Sequence, residues 1–142
     1  MKKILILLIF LLFSINVFAE PLEVTIEIRE VLLNRGTLII AIYNSKTNYK
    51  KNIPCKELKA ESTSETIIIK ENLPSGEYVI SLFQDKNGNG KLDTRIFMIP
   101  KEPIGFTNYT RKTIPGGWRK LKTKIDEENR SIKIKMIHFG GK

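Results

Sequence analysis

Residues 22–29, LEVTIEIR, alternate strictly. Leu22, Val24, Ile26 and Ile28 fall on one side, and Glu23, Thr25, Glu27 and Arg29 on the other. Successive side chains of a strand point to opposite faces, so this pattern predicts a strand with one face buried. Near the end of the chain, SIKIKMIH repeats it. Ile132, Ile134, Met136 and His138 share a face, Lys133 and Lys135 lie opposite, and Ile137 interrupts the order. Residues 37–44, TLIIAIYN, are apolar on both sides, which predicts a central strand. ETIIIKE and EYVISLFQ read as two more strands, separated by the turn NLPSG with its Pro74 and Gly76. NRG, 34–36, is another turn. Residues 45–61 are polar and lysine-rich and hold Pro54, so they read as a long connection with a helical turn around Cys55 to Ala60. DEENR reads as a hairpin turn between KLKTKI and SIKIKMIH. Short strands with turns between them predict an all-β fold, a single antiparallel two-sheet β-sandwich. No repeat or second domain is visible, and about 120 residues bury a sufficient core without disulfides.

The period of two fails at the N-terminus. Lys2 and Lys3 precede a continuous apolar run, Ile4 to Phe13, and Val17 and Ala19 occupy the small-residue positions of a cleavage site. This order predicts a signal peptide over residues 1–19, cleaved before Glu20, and export to the periplasm or the extracellular space. The apolar run is short for a membrane span and no stop-transfer pattern follows, so no stable membrane insertion is expected after cleavage. Mass spectrometry of the exported product is expected to find Glu20 at its N-terminus. A product that keeps Met1, or that resists alkaline extraction from the membrane, contradicts the reading.

Removing Lys2 and Lys3 takes the formal charge from +9 to +7. That is basic enough to attract anionic lipid or polysaccharide. The lysines are scattered and do not interleave with aromatics, which argues against nucleic acid as a partner. Cys55 is the only cysteine, so no intrachain disulfide forms, and it reads as a small, partly buried residue. His138, the only histidine, reads as a satisfied edge or core residue. Trp118 stands beside Gly116 and Gly117 among basic residues, a core tryptophan or one exposed for stacking.

The densest chemistry lies in DKNGNGKLD. Asp85, Asn87 and Asn89 occur at every second residue, followed by Gly90 and Asp93. Oxygen donors at this spacing, with a glycine at the sixth position, form the front of a calcium loop. Lys91 would contribute its backbone carbonyl. Position twelve is Ile96, where an EF-hand needs a bidentate glutamate, and the loop follows a strand, so this is no EF-hand. Glu102 is the carboxylate that would have to return from the next loop to complete the shell. Lys86, Lys91 and Arg95 weaken the local negative potential, which places the affinity for Ca2+ at about 10⁻⁴–10⁻³ M. The same residues also read as a metal-free loop, because Asn-Gly pairs make tight turns and Asp and Asn bond their own backbone. Both readings stand on the sequence. The next stretch, IPKEPIGFTNYT, is stiffened by Pro100 and Pro103 and reads as a rigid lid on the sheet end or as a ligand-contacting loop.

Together, LPSGEYVISLFQDKNGNGKLD and IPKEPIGFTN resemble the bacterial domain-of-unknown-function family 2141, with its G-x-Y strand, its D-x-N-x-N-G-x-x-D loop and its IP-x-E-P-x-G-F segment. GTLIIAIYN, 36–44, is similar to the glycine-led strand of that family. Met98 stands where the family has glycine, Ile104 where it has an aromatic, and Thr107 where it has serine. The resemblance implies export and an immunoglobulin-like or transthyretin-like sandwich, and supplies no activity. The functional expectation is therefore a non-enzymatic module that binds an envelope or extracellular partner. Two alternatives are a hydrolase using Asp85, Asp93 and Glu102, and a basic adaptor for anionic envelope polymers. No serine sits in a nucleophile elbow, and neither the cysteine nor the histidine lies in the loop.

Overall fold

The alternating segments become the strands of two packed sheets in the computed structural model, which describes residues 20–140. The signal peptide read at 1–19 lies outside the described residues. Strand β1 (Leu22–Arg29) buries Leu22, Val24, Ile26 and Ile28 and turns its polar residues outward. It sits in the middle of a three-stranded sheet, between β4 (Thr66–Leu73) and β8 (Ser131–Lys135). The second sheet runs β3 (Lys56–Glu61), β2 (Thr37–Tyr43), β5 (Gly76–Asp85), β6 (Ile104–Phe106). A short β7 (Thr123–Ile125) pairs with the first residues of β5, and β6 with its later ones, so the two share one edge. Leu38, Ile40, Ile42, Ile80 and Leu82 face Ile26, Ile28, Ile132, Ile134 and Met136 in one core. The two sheets are also tied along a side. Ile104 N–H donates to the Ile137 carbonyl at 3.1 Å and Ile137 N–H to the Ile104 carbonyl at 2.7 Å. Among the described residues this core runs from Leu22 to Met136.

The all-β, two-sheet arrangement agrees with the alternation. Three local expectations are corrected. The turn of helix lies upstream, as α1 (Lys46–Lys51), capped where Ser45 accepts from Asn48 N–H at 3.1 Å and stopped by Asn52 at φ 53°. Cys55–Ala60 is not helical. It leads into and forms β3, because Leu58 and Ala60 pack on the core while Glu57, Lys59 and Glu61 face water. DEENR is a turn but not a hairpin. Asp126 and Asn129 close it on themselves, and the chain then leaves β5 for β1 in the other sheet. There β8 pairs with β1 in parallel, Ile26 opposite Ile132 and Ile28 opposite Ile134, so the sandwich is not wholly antiparallel.

The architecture places the candidate loop at one end of the sandwich. β5 ends at Asp85, the chain makes an excursion, and it returns as β6 alongside β5, with Phe83 opposite Ile104. Gln84 N–H donates to the Pro103 carbonyl at 2.9 Å, which pins the two stems together. Both candidate loops therefore belong to one β5–β6 connection.

Candidate functional site

β5 carries Asp85 to the sandwich end, where its side chain is buried. Its Oδ1 accepts from Gly88 N–H at 2.9 Å and Asn89 N–H at 3.2 Å, and its Oδ2 from Gly90 N–H at 2.8 Å. The backbone can wrap the carboxylate because Gly88 and Gly90 take φ of 73° and 74°. Asn87 Oδ1 accepts from Asn89 N–H at 3.2 Å, and Asn89 Oδ1 from Lys91 N–H at 2.9 Å. The two amide nitrogens donate to a single atom, Asp93 Oδ2, at 2.6 and 3.0 Å. Lys91 sits on the exposed rim.

Glu102 does come back from the second loop. It is buried, and it clamps the ends of the first loop. Oε1 accepts from Lys86 N–H at 2.9 Å and Oε2 from Asp93 N–H at 3.2 Å. Lys101 N–H donates to the Asp93 carbonyl at 2.8 Å. The structure thus brings Asp85, Asn87, Asn89, Asp93 and Glu102 into one hydrogen-bonded unit. An ionised carboxylate offers about four acceptor sites, and Asp85 commits three of them to amides. The Asn87 and Asn89 side chains turn oxygen to the backbone and nitrogen to Asp93. A cation would need both amides rotated, so that oxygen faces inward. Among the described residues, no three His, Cys, Asp or Glu side chains surround a common point suited to a metal. The bonds seen are those of an Asx-rich turn.

The loop also walls a hollow that sequence reasoning missed. On the outer face of the five-stranded sheet, Ile39, Ala41, Tyr43, Phe83 and Phe106 help line a concavity of ≈ 480 Å³ bounded on one side by Gly90, Lys91 and Leu92. Its signal in the sequence was the second apolar face of β2. Ile39 and Ala41 are only half-buried, because they floor this hollow.

Cys55, His138 and Trp118 each contact a neighbouring group. Cys55 is exposed as a residue, while its sulfur donates to the Ile42 carbonyl at 3.2 Å in a partly buried bond. Desolvation at the sulfur pushes the thiol pKa up, the opposite of an activated nucleophile. His138 Nε2 lies 2.9 Å from the Glu30 carbonyl, as a satisfied edge histidine would. Trp118 is half-buried and opens the short helix α2 (Trp118–Leu121). Its ring lies 6.3 Å from that of Tyr49, which meets Tyr43 edge-on at 5.3 Å. Met98 has φ 57°, a left-handed conformation that favours glycine.

Neither a curated protein nor a solved structure matches the chain. One family model does, over residues 26–133, a span that takes in both sheets, the Asp85–Asp93 loop and Glu102. The chain belongs to that family, DUF2141, described as an uncharacterized protein conserved in bacteria.

Proposed function

We propose that the chain is an exported, non-enzymatic binding module on an immunoglobulin-like or transthyretin-like sandwich, and that Ca2+ fixes its Asp85–Asp93 loop against the hollow. The observation that carries this reading is the return of Glu102. A buried carboxylate from a separate loop locks the backbone at both ends of a segment whose side-chain oxygens recur at calcium-loop spacing. With Glu102 holding the frame, rotation of the Asn87 and Asn89 amides would supply two further oxygens beside Asp85, Asp93 and the Lys91 carbonyl. The cation would then stiffen the Gly90–Leu92 wall that a partner in the hollow would touch.

Calorimetric titration of the chain with Ca2+ tests this. The expected dissociation constant is about 10⁻⁴ M, the range of extracellular modules. At millimolar Ca2+, linkage then adds roughly 1.4 kcal/mol of stability and raises the melting temperature by several degrees. Magnesium is expected to do less, since it demands tighter octahedral geometry and releases water reluctantly. Asp93→Ala removes a ligand from the exposed side of the loop and is expected to abolish the increment. Identical melting in Ca2+ and in chelator, with no heat of binding, would leave the loop as a metal-free turn.

A further inference from the structure

The far end of the same β5–β6 connection is an apolar finger. Thr94 and Pro100 pair across its base, and Arg95 N–H donates to the Ile99 carbonyl at 2.7 Å. The tip is Ile96, Phe97 and Met98, which are 80%, 87% and 79% exposed, and Leu92 and Ile99 are also exposed. Phe97 and Met98 hold φ of 65° and 57°, a left-handed backbone that bulky residues seldom adopt. Single apolar residues on a surface need no explanation, but a contiguous group on a projecting loop marks a contact site.

The surroundings of the tip name the contact. Lys86, Lys91, Arg95 and Lys101, which flank the tip along the chain, are all exposed. The one acid between Lys86 and Lys101 is Asp93, which is half-buried and engaged by two asparagine amides. An apolar tip within a collar of one sign suits a surface that is negative all round the point of entry and apolar just beneath. An anionic lipid bilayer has both properties at once. The positive charge of the whole chain adds attraction at longer range.

We propose that the Ile96–Ile99 finger is a peripheral anchor that enters the interface of an anionic bilayer, with the collar of Lys86, Lys91, Arg95 and Lys101 on the headgroup phosphates. The contact is interfacial, and no helix among the described residues is long and apolar enough to cross a membrane. It makes a lipid surface the envelope partner of the binding module, and it does not depend on Ca2+.

Residues 20–142 are the chain to test, because the apolar run Ile4 to Phe13 would bind lipid by itself. The probes are vesicles of phosphatidylcholine alone and of phosphatidylcholine with phosphatidylglycerol, sedimented in chelator. The chain is expected to partition onto the anionic vesicles only, and less as salt rises. Replacing Ile96, Phe97 and Met98 together by serine is expected to weaken partitioning at least tenfold, because binding scales with buried apolar area. Lys91→Ala and Arg95→Ala are each expected to weaken it roughly fivefold. All these side chains are exposed, so melting temperatures are expected to hold. Phe97→Trp in a Trp118→Phe background is expected to shift its emission to the blue with anionic vesicles alone. The proposal is overturned by absence of partitioning, by a serine variant that binds as well as the parent, or by a finger that instead drives self-association in sizing experiments. Partitioning in chelator would stand even if the calcium titration failed.

Discussion

Gly36→Ala is expected to cost about 4 kcal/mol of folding stability, a large part of the roughly 5–15 kcal/mol that holds a domain together. Gly36 has φ 80°, where an alanine Cβ meets its own backbone at a cost of about 1–2 kcal/mol. The added carbon would also lie 1.9 Å from the Asp85 carbonyl oxygen, 2.8 Å from its carbon and 2.9 Å from Lys86 Cα. These are backbone atoms, so no side-chain rotation relieves the overlap. The start of β2 must instead move from the end of β5, where Thr37 pairs with Asp85. Urea denaturation is expected to show a lower midpoint with an unchanged slope, because the core that unfolds is the same. Asp85 would be displaced with its strand, so the loop should lose order too. A midpoint within experimental error of the parent would mean that the close approach of Gly36 to Asp85 does not exist in solution.

Gly36 was legible only as a turn glycine. Its other role, admitting the backbone of a strand nearly fifty residues away, depends on pairing that no local pattern encodes. The same boundary runs through the whole fold. β1 was readable because one of its faces is wholly apolar and the other wholly polar. β3 was not, because its inward residues are only Leu58 and Ala60 and lysines flank them. The turn at Asp126–Asn129 was readable because Asp126 Oδ1 accepts from Asn129 N–H at 2.9 Å, a purely local bond. That its two strands join different sheets was not, since alternation shows that a strand has a buried face and not which neighbour it pairs with. In the candidate site, the spacing of oxygens and the return of Glu102 could be read from the chain. The direction in which Asn87 and Asn89 point their amides could not, because both orientations fit the same residues. The exposure of the apolar tip at Ile96–Ile99 is not encoded locally either. Its residues have the composition of a strand, and only their exposure separates them from one.

Gln84→Leu is expected to cost about 3 kcal/mol although it fills nearly the same space with an apolar group. Gln84 is fully buried at the end of β5, next to the buried Asp85. Its Oε1 accepts from Leu32 N–H at 3.0 Å, and its Nε2 donates to the Leu32 and Arg35 carbonyls at 2.6 and 2.9 Å. One side chain therefore satisfies three backbone groups of the β1–β2 connection, which lacks a ladder of its own. Leucine leaves the Leu32 N–H and the Arg35 carbonyl unpaired, and the Leu32 carbonyl keeps only the Arg35 N–H at 3.3 Å. Each buried orphan costs about 1–3 kcal/mol, less where water can enter. Gln84→Glu separates hydrogen bonding from packing. The glutamate keeps the shape, but once ionised it cannot donate and faces two carbonyl oxygens. Burial raises its folded-state pKa above the unfolded value of about 4.3. The charged form is then penalised, so stability is expected to fall as pH rises through the folded-state pKa. It should recover towards the parent as pH drops to about 4, because a protonated carboxyl can again donate one bond. Denaturation midpoints of the parent, Gln84→Leu and Gln84→Glu at neutral and acid pH provide the measurement. A leucine variant as stable as the parent, or a glutamate variant whose deficit is the same at both pH values, would show that these three bonds do not hold the β1–β2 connection in place.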